Sequence, residues 1–579
     1  MNKNDIVRLT IEDMSLEGAG IGHTDGVTIF VKDAVVGDLC DVIITKVKKT
    51  YCFAALKEVV EPSPFRVEPP CAIAKQCGGC QIMQVSYEKQ LQIKDNIVAN
   101  NLVKIGGYDR AYVESIREPI LGMEEPLRYR NKAQVPIGVD KEGRIIAGFY
   151  GARSHRIVPS TDCKICSKKS MDIVYSVIDY MNENHVAVYD ENSGKGLIRH
   201  VLVREGKATG ETMVCVVVNG DKLPAIDSLV EHVKSVEPAL ASLVLNINTR
   251  RDNVIMGYET RVLYGKEAIR DRITLTNGDT IAFDISANSF YQVNHHQMEK
   301  LYSRALEYAD LHGTEDVWDL YCGIGTISLS MAKHAGRVIG IEVVPQAIEN
   351  AKANAALNGL SNAEFYCGEA EVVLPEIYDK MSHPDVIMVD PPRKGCDVVA
   401  LDTMVKMQPK RIVYVSCDSA TLARDLKHLE EQGYHLEKYT VCDQFGHTMH
   451  TETVALLSKN WSQAEHYIDV KVDLAEMDIT SAESKATYRQ IKDWVKENYG
   501  IKTRNEYIAR VKEKYGIIEH ENSRPSQNPD YVRRDCPEDH WGGICNAFYP
   551  AHKGEREHLI AVAALDLLLD DLLFPFSHT

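Results

Sequence analysis

The sequence predicts an α/β protein built around a parallel, doubly wound, Rossmann-like sheet, with a small N-terminal β-barrel, a mixed α+β central domain and a helical C-terminal extension. Two observations carry this. From about residue 290 to 458, short apolar strands alternate with helical segments, the pattern of strand–helix units wound into a parallel sheet. The first ~60 residues instead alternate apolar and polar positions, with turn signals at hairpin spacing.

The barrel is expected over residues 1–62. Within it Leu16-Glu17-Gly18-Ala19-Gly20-Ile21-Gly22 reads as a flexible glycine-rich turn, and Lys46, Lys48 and Lys49 as basic edge residues. Pro62, Pro64, Pro69 and Pro70 follow as a stiff linker, because proline cannot continue a ladder. The central domain, 70–288, carries a helical run near 87–103 and a β-rich stretch at 212–218. The α/β domain occupies 289–458. Beyond it, 495–501 and 511–517 share a phrase that suggests a helix-turn-helix pair within 480–520. Between Lys485 and Lys514 nine Lys and Arg face four acids, so this extension is locally basic, which permits either nucleic-acid contact or packing on the body of the protein. Residues 521–579 form a further extension without an assigned role.

At 579 residues and 44% apolar content the chain can bury ordinary cores in several domains. No apolar leader follows Met1, and Asp566, Asp570 and Asp571 interrupt the late apolar stretch 559–574, so a cytoplasmic protein is expected. Fifteen cysteines, several tightly spaced, suit metal ligation or catalysis better than a disulfide framework. A net charge of −17 argues against a uniformly basic nucleic-acid coat and leaves room for local basic patches.

Three strand ends in the α/β region converge on chemistry. Val317-Trp318-Asp319-Leu320 runs into Tyr321-Cys322-Gly323-Ile324-Gly325, a glycine turn that lets backbone approach a ligand. The next strand, 338–342, ends in Glu342, placed to hold a ribose diol, and 385–390 ends in Asp390. Cys417 then closes an apolar strand just before a helix-forming run, where the helix N-terminus is expected to favour the thiolate. Each residue alone also fits a turn, a cap or a packed core thiol; their order on consecutive strand–helix units favours one shared site. Upstream, Cys71, Cys77 and Cys80 lie within ten residues around glycines, with Cys163 the leading fourth ligand and Cys166 its competitor. Thiolate softness suits zinc and an iron–sulfur cluster alike.

These motifs, with Ser289-Phe290-Tyr291-Gln292-Val293-Asn294, Asp390-Pro391-Pro392-Arg393-Lys394-Gly395, Ser416-Cys417-Asp418 and His450-Thr451-Glu452, make residues 1 to about 458 resemble the uracil-5 RNA methyltransferase family. The resemblance is to its 23S ribosomal RNA branch, which carries an N-terminal TRAM barrel of OB-like type and an iron–sulfur cluster. It implies a class I methyltransferase domain, a 4Fe-4S cluster on Cys71, Cys77, Cys80 and Cys163, and S-adenosylmethionine bound by Gln292, Tyr321, Glu342 and Asp390. It further implies Cys417 as the nucleophile that adds to C6 of uracil, Glu452 as the base that removes the C5 proton, and ribosomal RNA as the substrate.

Phe290 offers a ring for the unstacked base, and Arg128, Arg130, Lys132 and Arg199 are candidate phosphate contacts. Two departures stand out: Gly446 replaces a usual proline and is expected to loosen the base loop, and Asp418 stands where asparagine is common. The rival readings are a transfer-RNA uridine methyltransferase and a noncatalytic RNA-binding or assembly factor. A DNA cytosine methyltransferase fits less well, since Cys417 follows serine rather than proline.

Overall fold

A computed structural model of the chain describes residues 1–378 and 383–459; the extensions expected over 480–520 and 521–579 lie outside the described residues. Strands β1 (Ile6–Thr10), β2 (Asp13–Met14), β3 (Gly20–Thr24), β4 (Val27–Lys32), β5 (Leu39–Val47) and β6 (Tyr51–Glu61) form a sheet of order β1-β5-β6-β4-β3-β2. Its inward positions alternate, as Cys40, Val42 and Ile44 do along β5, and join Leu9, Ile29 and Val31 in one small core. The glycine-rich stretch turns at residues 16–18, where Gly18 N donates to Ser15 O at 2.8 Å, but Gly20 and Gly22 lie inside β3 rather than in the expected turn. A Cβ on Gly22 would stand 2.1 Å from Leu9 Cδ1, so glycine there permits close packing. The linker is pinned as well: Arg66 Nη2 lies 2.5 Å from Asp38, whose Oδ1 accepts from Ser63 N at 2.9 Å.

Helices α1 (Tyr87–Lys104) and α2 (Arg110–Ser115) come next. They precede β7 (Lys132–Val139), β8 (Ile145–Tyr150), β9 (Ile157–Pro159), α3 (Lys168–Glu183), β10 (Ile198–Glu205), β11 (Thr212–Val218), α4 (Ile226–Val236), β12 (Leu240–Ile247) and β13 (Glu259–Gly265). The seven strands form a sheet of order β13-β12-β11-β10-β7-β8-β9. Both faces of β10 and β11 are buried: Val201, Val203, Val214 and Val216 pack with α3 and α4, while Leu202, Met213, Cys215 and Val217 join the core under the next sheet. This shared core joins the two sheets.

A hairpin of β14 (Ile269–Thr274) and β15 (Thr280–Ile285) leads to α5 (His295–Ala309). The chain then runs β16 (Asp316–Leu320), α6 (Thr326–Ala332), β17 (Arg337–Glu342), α7 (Pro345–Leu357), β18 (Ala363–Cys367), α8 (Ala370–Tyr378), β19 (Val386–Val389), α9 (Val398–Met407), β20 (Arg411–Ser416), α10 (Ser419–Glu431), β21 (Tyr434–Cys442) and β22 (Glu452–Lys459). Sheet order is β18-β17-β16-β19-β20-β22-β21, parallel from β18 to β20, with β22 antiparallel to both neighbours. Val317, Val338, Met388 and Val413 face one core and Trp318, Ile339, Ile387 and Ile412 the other, which explains the continuous apolar runs. The second core includes Val98, Ala99 and Leu102 of α1 and Val113 of α2, so these early helices cover the late sheet. Among the described residues no helix is long and apolar enough to cross a membrane.

Candidate active site

The strand order reverses at β16, between β17 and β19, and the carboxyl ends of the strands open there into a crevice. Register sets its floor. Leu320 pairs with Ile341 on one side and Val389 on the other, so Tyr321, Glu342 and Asp390 are the next residues out on three adjacent strands. Ser416 pairs with Thr453, so Cys417 and Glu452 are the next pair out across β20 and β22. All five line one cavity of about 610 Å³ together with Phe290 and Gln292, so every residue expected for donor, nucleophile, base and stacking reaches one chamber.

Glu342 accepts from Gly323 N at 3.1 Å and Val344 N at 2.9 Å, which ties the glycine turn to the end of β17. Tyr321 takes φ 68°, a left-handed conformation that costs a non-glycine residue about 1–3 kcal/mol. Gly325, φ 83°, starts α6; a Cβ there would lie 3.3 Å from Ala351 Cβ. Gln292 is buried, its Oε1 accepting from Gln444 Nε2 at 3.2 Å and its carbonyl from Asn131 Nδ2 at 2.9 Å. Phe290, by contrast, is 68% exposed at the mouth.

The acids of the chamber are held unlike surface carboxylates. Burial pushes Asp390 and Asp319 each up to about 7. Burial first, then Asp390, holds the Glu452 carboxyl well above the usual range, against Arg393, and Glu452 Oε2 is buried with no hydrogen-bond partner. The expected thiolate at Cys417 is corrected here: burial, then Glu452 and Asp390, push the thiol up to about 11, with Arg393 opposing. The helix end gives it little help, because Asp418 caps α10 and accepts from Ala420 N at 2.9 Å and Thr421 N at 3.1 Å.

Gly446 does not loosen the base loop. Lys94 of α1, fully buried, lies 2.5 Å from Asp443 Oδ1 and donates to Phe445 O at 3.0 Å. Tyr129 OH donates to Gly446 O at 3.1 Å, and Gln90 Oε1 accepts from His447 N at 3.0 Å. Removing one partner of a buried ion pair costs about 3–5 kcal/mol, so α1 holds this loop firmly. Sequence reasoning gave no role to Arg393, Phe445 or His450, which also line the chamber. The signal was present in Arg393, three residues beyond Asp390 in the same turn.

Cys71, Cys77, Cys80 and Cys163 line a second cavity of about 330 Å³, with Arg130, Lys132 and Lys164 around them. Burial raises the Cys77 and Cys80 thiols, while a hydrogen bond from Cys166 lowers Cys163 to about 6. Cys166 also touches this cavity but is only 2% exposed and belongs to the central core. Val293 lines both cavities, so they share a wall. Two phosphate candidates are engaged by the protein itself, Arg199 in the interior and Arg128 at a partly exposed position. Arg199 is buried, and Arg128 donates to the carbonyls of Cys163 (2.7 Å) and Cys166 (3.2 Å) and pairs with Asp162.

Residues 231–460 match the family model for tRNA (uracil-5-)-methyltransferase, and residues 2–57 match the TRAM domain. An uncharacterized RNA methyltransferase of Halalkalibacterium halodurans is 47% identical over 79% of this chain and 98% of its own length. One from Clostridium tetani is 44% identical over 79% and 97%. The crystal structure of Pyrococcus abyssi tRNA (uracil-54, C5)-methyltransferase in complex with S-adenosyl-L-homocysteine is similar over 78% of this chain and 100% of that one, at 27% identity and a TM-score of 0.61. With relatives matched along nearly their whole length, and the uracil-5 model spanning every strand that lines the reaction cavity, the chain belongs to the TRAM-containing uracil-5 RNA methyltransferase family.

Proposed function

We propose that this chain transfers a methyl group from S-adenosylmethionine to C5 of a uridine in 23S ribosomal RNA, through a covalent bond between Cys417 and C6. The observation that carries the reading is the placement of Cys417 and Glu452 side by side across β20 and β22, with Asp390 on the neighbouring strand. Gln292, Tyr321, Glu342 and Asp390 line the donor half of the chamber, and Glu342 keeps lone pairs free for a ribose diol beyond its two backbone bonds. The bound donor supplies a methyl group on a positively charged sulfonium.

Phe290 receives the flipped uracil on its exposed ring. Cys417 gives its proton to Asp390, whose value of about 7 leaves it partly ionised near neutrality. The thiolate adds to C6, and the C5–C6 π pair moves towards C5 and O4, making C5 the nucleophile that takes the methyl. Glu452 then removes the C5 proton; the released pair re-forms the double bond and the C6–S bond breaks back to Cys417. A carboxyl whose ordinary value is raised is the stronger base once ionised, and Arg393 beside it favours that form.

The thiols of Cys71, Cys77, Cys80 and Cys163 fit a 4Fe-4S cluster. Thiolate softness suits zinc as well as an iron–sulfur cluster, and the cluster reading follows the family resemblance that these four positions carry, all of them lining one cavity. Arg130, Lys132 and Lys164 face the negative charge that a thiolate-bound centre carries. The cluster would tie the 71–80 loop to the segment after β9, and the free thiols suit the reducing cytoplasm.

A transfer-RNA acceptor is the second reading, favoured by the name of the matched model and by the Pyrococcus abyssi enzyme. Mass-spectrometric mapping of 5-methyluridine in cells lacking the protein separates the two. Loss from 23S ribosomal RNA alone is expected; loss from transfer RNA alone would move the acceptor, and no loss from either would contradict the enzyme reading.

A further inference from the structure

Close to the mouth of the reaction cavity the chain displays one aromatic side chain nearly bare: Tyr258 is 90% exposed. The loop that carries it is built rigidly. Buried Arg199 donates from Nη1 to the carbonyls of Asn248 (2.7 Å) and Arg250 (2.6 Å) and lies 4.4 Å from the centre of the Tyr189 ring. Asn248 Nδ2 donates across the loop to Val254 O at 2.6 Å and Ile255 O at 2.9 Å. Gly257 is clamped to β12, its N donating to Asn246 Oδ1 at 2.6 Å, and a Cβ there would lie 1.7 Å from Ile247 O. Tyr258 therefore projects from a fixed frame.

The frame is joined to the cavity. The Gly257 carbonyl accepts from Asn288 Nδ2 at 3.3 Å, and Asn288 stands two residues before Phe290, a span of at most about 7 Å. The surroundings are charged rather than apolar. The Arg250 guanidinium lies 5.8 Å from the Tyr258 ring centre and donates to its hydroxyl at 3.4 Å, and Arg251 packs over Gly194 beside it. Arg250 and Arg261 rest on exposed Asp252 and Glu259, weak surface pairs that a phosphate can replace. Val254 and Val262 are the nearby exposed aliphatics, too small an apolar patch for a protein partner.

We infer that Tyr258, Arg250 and Arg251 form a docking platform for the single-stranded RNA flanking the target uridine. One base stacks on the Tyr258 ring, the arginines take the adjoining phosphates, and the strand continues over Phe290 into the cavity. An aromatic face beside guanidinium groups is how sequence-tolerant single strands are held, and a ring carried on a fixed backbone loses less freedom on binding than one on a mobile loop. The inference rests on the RNA methyltransferase reading and adds the path of the substrate.

The test uses the full chain and a fluorescently labelled, uridine-containing single-stranded RNA, with S-adenosylhomocysteine binding measured alongside by calorimetry. Tyr258→Ala is expected to weaken RNA binding about ten-fold and Tyr258→Phe to stay within about two-fold of wild type, since stacking needs only the ring. Arg251→Ala should lower the slope of log affinity against log salt by about one. S-adenosylhomocysteine affinity should be unchanged in all three. Equal RNA affinity for wild type and Tyr258→Ala overturns the platform. Wild-type protein that methylates no RNA would overturn the functional reading beneath it.

Discussion

A cysteine that attacks a pyrimidine ring must first lose its proton, and the surroundings of Cys417 oppose that loss while the site is empty of substrate. Burial, Glu452 and Asp390 act together to put the thiol at about 11, two units above its ordinary 9.0. The sign of the pH dependence follows: below about 11 the thiol holds its proton, and the reactive fraction grows about ten-fold per pH unit as pH rises towards that value. In the free protein, iodoacetamide should therefore modify Cys417 more slowly near neutral pH than the exposed Cys367, with a rate that climbs past pH 9. Glu452→Gln removes a negative neighbour, so the midpoint should fall and the rate at a given alkaline pH should increase. Peptide mass spectrometry reads both thiols at once; a Cys417 rate that levels off at or below pH 9 would contradict this electrostatic account. The role expected for the helix N-terminus failed at one residue: Asp418 takes the free amides of α10 for its own carboxylate, a competition that spacing in the sequence does not reveal.

At the scale of elements, the thiol loop and the base loop support each other. Directly after Cys80, the amides of Gln81 and Ile82 both donate to His447 O, at 3.0 and 3.1 Å, and Val293 separates the two cavities. Protein purified without oxygen should hold about four irons and four sulfides per chain. Cys163→Ser should lose them and speed amide exchange over 443–450, while Cys166→Ser, altering a thiol sunk in the core, should keep both. Stoichiometric zinc without sulfide, or cluster loss only in Cys166→Ser, would contradict the assignment. Cys71, Cys77 and Cys80 stood out because they lie close in sequence around glycines, whereas Cys163, 83 residues beyond Cys80, was a candidate beside Cys166 that only the fold brings to the same cavity. The anchoring of the base loop was not, since Lys94 and Asp443 stand 349 residues apart and no local pattern links them. For the same reason Gly446 read as a loose point, when bonds from Tyr129 and its neighbours hold the loop on both sides.

For the whole molecule, fold class was readable from periodicity: apolar strands ending in Glu342, Asp390 and Cys417 announced a parallel sheet with ligands at its carboxyl edge. What periodicity leaves out is the antiparallel return of β22, which brings Glu452 to that same edge, and the shared core that joins the central sheet to the α/β sheet. That core fixes the Tyr258 loop, Phe290 and the reaction chamber on one continuous frame, so a strand of RNA can run from platform to nucleophile without a domain having to move. The central claim is the covalent step at Cys417. It is tested most directly by incubating the full chain with S-adenosylmethionine and RNA carrying 5-fluorouridine at the target, whose C5 fluorine Glu452 has no means to remove as a proton, and then sequencing the RNA-linked peptide by mass spectrometry. A methylated pyrimidine bonded to Cys417, absent in Cys417→Ala, is the predicted result; no adduct from protein that methylates the unfluorinated RNA, or an adduct on any other residue, would contradict it.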